Sequence, residues 1–142
     1  MTIEEIISEL KEIRIENSED FNNLDRVDEL CDGLTKLPNG ALACQTLVEL
    51  IERHPKIEFG MPGTPVHVLE SFDGHYETYL YDSLKRRPTE LTVWMLNRII
   101  NSKTGNERDE LLELLKMSMT NENADEQTRE TAKDFLEFQT ES

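Results

Sequence analysis

The chain has 142 residues, 37% of them hydrophobic and 32% charged, enough for a single domain whose core needs neither disulfides nor a structural metal. Acids outnumber bases by 30 to 15, a formal charge of −15. That balance disfavours nucleic acid and anionic lipid as direct partners, because binding phosphate requires Lys and Arg to release counterions.

The same excess suits a basic protein partner, which a negative surface steers into encounter, but it also serves solubility alone. The opening residues Met1 to Glu12 are amphipathic and acidic, unlike a signal peptide, and no window is apolar enough to span a membrane. Cys31 and Cys44 sit within apolar helical patterns, as small buried hydrophobes do. A cytoplasmic protein, monomeric in isolation, is expected.

Taken in order, the first helix opens on a capping box, Thr2 with Glu5, and carries Ile3, Ile6, Ile7, Leu10 and Ile13 at helical spacing. A second helix starts near Ser18 or Asp20. It aligns Phe21, Leu24, Val27, Leu30 and Cys31 on one face, with Gly33 as its expected stop. A third runs from about Ala41 to Arg53, apolar nearly all round, and is closed by His54 and Pro55. The stretch from Pro55 to Pro65 reads as a loop, ended by Thr64 as N-cap and Pro65 at the first position of a short helix with Val66, Val68, Leu69 and Phe72.

After the Asp73–Gly74 turn, Tyr76, Leu80 and Leu84 define the inner face of a helix reaching about Arg87. Pro88 breaks it and Thr89 caps the next, whose run from Leu91 to Ile100 is the most hydrophobic and therefore the most central. A helix from Glu107 to Met119 follows. The last runs from about Asp125 to Phe138, with Ala132, Phe135, Leu136 and Phe138 expected inside. No stretch alternates as a strand would. The expected class is all-α: seven or eight short helices packed as an α-solenoid or as an irregular bundle.

Two segments resemble known families. Asp125 through Ala132, followed by Phe135 and Leu136, is similar to the second helix of a HEAT-type repeat, with Asp125 and Arg129 at ion-pair spacing. The longer resemblance runs from Gly60-Met61-Pro62-Gly63-Thr64-Pro65-Val66-His67-Val68-Leu69-Glu70, through Tyr79 to Ser83, to Arg87-Pro88-Thr89-Glu90-Leu91-Thr92-Val93-Trp94 and on to Asn101. It resembles small helical immunity proteins of bacterial polymorphic-toxin systems, including contact-dependent growth inhibition. The resemblance implies a non-enzymatic protein that binds a cognate toxin domain, often a nuclease, and blocks it.

Catalytic and cofactor motifs are not found. His67 and Glu70 are three apart on one helix but lack the third ligand a metal needs, and the glycine-rich loop at 60–65 lacks the Lys and hydroxyl of a phosphate cradle. Lys85-Arg86-Arg87 complements a helix C-terminus, and Arg87 has Glu70 and Asp82 as possible acidic partners. The best interface candidate is the acidic face of the second helix, Asp25, Asp28, Glu29 and Asp32, within a stretch (1–32) holding eleven acids and three bases. Like charges so close repel, and a partner's Lys or Arg would relieve them; a solvated helix face is the alternative.

Glu70, Trp94, Asn97 and Asn101 complete the candidate set. Trp94 flanked by amides would make a binding anchor if exposed, whereas a core Trp with Asn side chains tying down the next turn is the other possibility. The expected function is therefore an immunity protein engaging a basic toxin domain through its acidic surface. The competing expectation is a helical-repeat adaptor for another protein or peptide, unrelated to toxins.

Overall fold

A computed structural model describes residues 1–60 and 62–141; Met61, within the longer resemblance above, lies outside the described residues. The described residues form an all-α fold with eight α-helices and no strand: α1 Ile3–Glu12, α2 Phe21–Thr35, α3 Cys44–Glu52, α4 Thr64–Ser71, α5 Glu77–Arg86, α6 Glu90–Asn101, α7 Gly105–Ser118 and α8 Glu126–Thr140. Packing divides the chain into two compact units, residues 1–79 and the chain from Leu80 onward, so α5 gives its first residues to one and the remainder to the other.

In the first unit, α1 is started by the reciprocal Thr2–Glu5 cap, which satisfies two backbone N–H groups. Its stripe of Ile3, Ile6 and Leu10 is buried, and α1 packs on α2 and α3 while α2 packs on α4. The two thiols lie inside this core. Burial pushes Cys31 up to about 12 and Cys44 up to about 11, so both remain protonated and unreactive.

Four expectations in this unit are corrected. Gly33 does not stop α2: the helix continues to Thr35 because Leu34, fully buried, carries the apolar stripe one turn further. Phe21 lies on the apolar side but is 64% exposed, since it occupies the first turn, where periodicity names a face without ensuring that anything covers it. The third helix does not begin at Ala41. Gly40–Ala43 is a 3-10 turn leading into α3, and its tighter winding leaves Leu42 67% exposed. Gly63, rather than Thr64, is the residue before α4. Its φ of +100° and the closeness of the Phe59 carbonyl leave no room for a Cβ.

In the second unit, Thr89 caps α6 as its sequence suggests, its Oγ1 accepting from Thr92 N at 3.2 Å, while Thr92 Oγ1 accepts from Thr89 N at 2.9 Å. Helix α6 buries Val93, Met95, Leu96, Ile99 and Ile100 and packs against α7 and α8, which pack on each other. The loop between α7 and α8 caps α5: Asn121 and Asn123 donate side-chain N–H groups to the carbonyls of Lys85 (3.2 Å) and Arg86 (2.9 Å). On α8 the inner face is Thr128 and Ala132. Phe135 and Leu136 are half-buried and Phe138 is 66% exposed, because six residues beyond Ala132 is two-thirds of a turn off that face.

Candidate protein-binding face

Asp25, Asp28, Glu29 and Asp32 are all exposed on α2, at the i, i+3, i+4 and i+7 positions that make one helix face. The opposite face is the buried stripe of Val27, Leu30, Cys31 and Leu34. The core therefore fixes which way the carboxylates point.

Their internal partners are few. Arg26 lies at the edge of the face and donates to both oxygens of Glu9 on α1, with Nη2 to Oε1 at 2.7 Å, and to Glu29 Oε2 at 2.9 Å. This hydrogen bond from Arg26 holds the Glu9 carboxyl below its usual range. Lys36 reaches Asp32 at 2.9 Å, both side chains being largely exposed. Asp25 and Asp28 have no basic partner among the described residues. Exposed pairs such as Lys36–Asp32 contribute about 0–1 kcal/mol, so a partner's cation can replace them with little loss.

The acids preceding α2 extend the negative field. Glu12, Glu16 and Glu19 are exposed, and Asp20 is fixed by accepting from Asn23 Nδ2 (2.8 Å) and Glu16 N (3.1 Å), which lowers its carboxyl below the usual range. Glu70 belongs to the same unit as the acidic face, half-buried on α4.

The remaining candidates belong to the second unit. Trp94 is half-buried on α6, with the Arg98 guanidinium 5.1 Å from its ring centroid, a cation–π distance. Asn97 and Asn101 both accept from the Gln139 side-chain amide, at 2.8 and 2.7 Å, so their carbonyls are engaged within the fold. Arg87 and Asp82 are exposed. Asp125 serves as the N-cap of α8, accepting from Thr128 N at 2.7 Å.

Sequence reasoning did not find a shallow groove on the second unit lined by Met119, Thr120, Glu126, Arg129, Glu130 and Lys133. Both charge signs meet there without a convergent polar constellation. Among the described residues no group of three or more His, Cys, Asp and Glu side chains could hold a metal ion. No helix among them is long and apolar enough to cross a membrane. No family model, curated protein or solved structure matches the chain.

Proposed function

We propose that this protein is an immunity protein of a bacterial polymorphic-toxin system, acting in the cytoplasm by binding the basic toxin domain of its partner through the acidic face of α2. The observation that carries the proposal is that face: four exposed carboxylates on one helix, of which Asp25 and Asp28 lack a basic partner among the described residues. Residues 60–101 add the resemblance to helical immunity proteins. Mechanistically, the protein needs no chemistry of its own. A field from a net charge of −15 accelerates encounter, and short-range pairing of Asp25, Asp28, Glu29 and Asp32 with Lys or Arg sets the register.

The test is co-expression and affinity capture with the C-terminal domain encoded immediately upstream, followed by a growth-rescue assay. Rescue with a stoichiometric complex is the expected outcome. Reversing charge at Asp28 and Glu29 should then slow association and flatten its salt dependence. A toxic neighbour that is neither bound nor neutralised would overturn the reading and leave an adaptor for another protein. Rescue with unchanged association kinetics would move the interface off α2.

A further inference from the structure

The chain that follows α1 is laced to the chain that follows α3 by side chains rather than by backbone ladders. Arg53 Nη2 donates to the carbonyls of Leu10 (2.6 Å) and Ile13 (3.2 Å) at the end of α1. The backbone N–H of Ile15 donates to His54 Nε2 at 3.0 Å, and the N–H of Glu58 donates to Ser18 Oγ at 3.0 Å. His54 is the middle tie and is buried, as are Ile13 and Ile15 beside it.

Both ring nitrogens of His54 have partners of fixed polarity. Nδ1 lies 2.7 Å from the Leu50 carbonyl, which can only accept, and Nε2 faces the Ile15 N–H, which can only donate. The ring is therefore the neutral Nδ1–H tautomer. A second proton would have to go onto Nε2, directly against the Ile15 N–H, and would turn a hydrogen bond into a clash of two donors.

We infer that His54 is an acid-sensitive latch: its neutral ring clasps residues 13–18 to residues 54–58, and protonation releases that clasp and uncovers Ile13 and Ile15. Of the ring's surroundings only the Leu50 carbonyl favours the second proton. From the chain after α1 the ring faces Arg14, and from the end of α3 it faces Arg53, both cations. Burial and these two charges all push the His54 value below its ordinary one, while its bond to Leu50 opposes them. Of the other charged groups on these elements, Glu49 acts on Arg53, Glu52 is half-buried, and Glu12, Glu16, Lys56 and Glu58 are exposed. This inference does not rest on the immunity reading.

The experiment uses the full chain labelled with nitrogen-15 and follows it from about pH 7.5 to about pH 4, far enough to protonate a depressed imidazole. Two signals are read: the ring nitrogens of His54 and the hydrogen-exchange protection of the Ile15 amide, corrected for intrinsic exchange. The expected result is the Nδ1–H tautomer at neutral pH, then a fall in Ile15 protection of about tenfold or more as the ring takes its second proton. The Val93 amide, bonded to Thr89 O at 3.0 Å, is the reference and should keep its protection. In His54→Gln, whose side chain offers an acceptor that does not titrate, Ile15 protection should be independent of pH. An Nε2–H tautomer at neutral pH would overturn the inference. So would an Ile15 protection that stays constant while the ring titrates.

Discussion

Arg108 holds Gln139 at two points, its Nη2 donating to the Gln139 backbone carbonyl at 3.1 Å and to the side-chain Oε1 at 2.9 Å. The same guanidinium caps α6 through Ile100 O (3.0 Å), while the Gln139 amide donates to Asn97 and Asn101. One Arg and one Gln thus tie the last turn of α8 to the end of α6 and the start of α7. Arg108→Ala is expected to cost about 1–2 kcal/mol, since charge-assisted bonds are stronger than neutral ones but this cluster is only half-buried. Amide exchange should localise the effect: the last turn of α8 opens, while the centre of α6 is unchanged.

How much of this could be read beforehand follows from the sequence distance of the interactions. Caps act over three residues, so the Thr2–Glu5 pair and the Thr89 cap are legible in the sequence. The inner faces of α1, α5 and α6 were legible for the same reason: 3.6 residues per turn is a local rule. The acidic face of α2 is another local pattern. Arg26 with Glu9 is 17 residues apart, Arg108 with Gln139 is 31, and Gln139 with Asn97 is 42, and no spacing rule reaches so far. Hence the sequence offers Asn97 and Asn101 as candidate ligands of a partner, whereas in the fold Gln139 engages both. Leu42 failed because the period there is that of a 3-10 turn, and Phe21 because a periodic stripe does not say where its cover ends.

Gly33 and Gly40 give a matched pair of opposite outcomes. A Cβ at Gly40 would fall inside the Leu34 carbonyl oxygen and stand 3.0 Å from Phe72 Cζ, and the Leu34 backbone cannot withdraw without undoing the end of α2. Gly40→Ala is expected to lose about 1–3 kcal/mol or more in urea denaturation. At Gly33 a Cβ would meet Ile6 Cδ1 at 3.3 Å, the flexible end of a side chain, and the position is helical. Removing glycine from a helix gains up to about 1 kcal/mol, more than so small a shift should consume, so Gly33→Ala should be neutral to stabilising. A large loss at Gly33 would mean that Ile6 is held rigidly.

Acid titration should expose Asp20. Hydrogen bonds from Asn23 and from Glu16 N lower its carboxyl below the ordinary value of 3.8. A depressed carboxylate contributes stability that is complete above the unfolded value and is lost as pH falls through the folded one. Asp20→Asn keeps an oxygen acceptor but no charge. The difference in melting temperature between the two proteins should therefore be constant above about pH 5 and should shrink toward zero below about pH 3. Taking the difference cancels the acid response common to every other carboxylate. A difference that is flat across the whole range would show that Asp20 acts only as a neutral acceptor.

Salt should stabilise the free protein. Its exposed ion pairs, Lys36–Asp32 among them, contribute about 0–1 kcal/mol each, whereas a net charge of −15 repels over the whole surface. Raising ionic strength shortens the screening length from about 30 Å at 0.01 M to about 3 Å at 1 M, and weakens the repulsion more than it weakens the few attractions. On α2, Asp28 stands four residues before Asp32 and three after Asp25, both like-charge spacings. Asp28→Lys turns both into attractions. It should raise the melting temperature by a few degrees at low salt, and the gain should vanish at high salt. The same substitution should slow association with a basic partner, so one residue would move stability and binding in opposite directions. A carboxylate present only for solubility would be stabilised in the same way but would leave association unchanged, and that contrast decides whether the face is an interface.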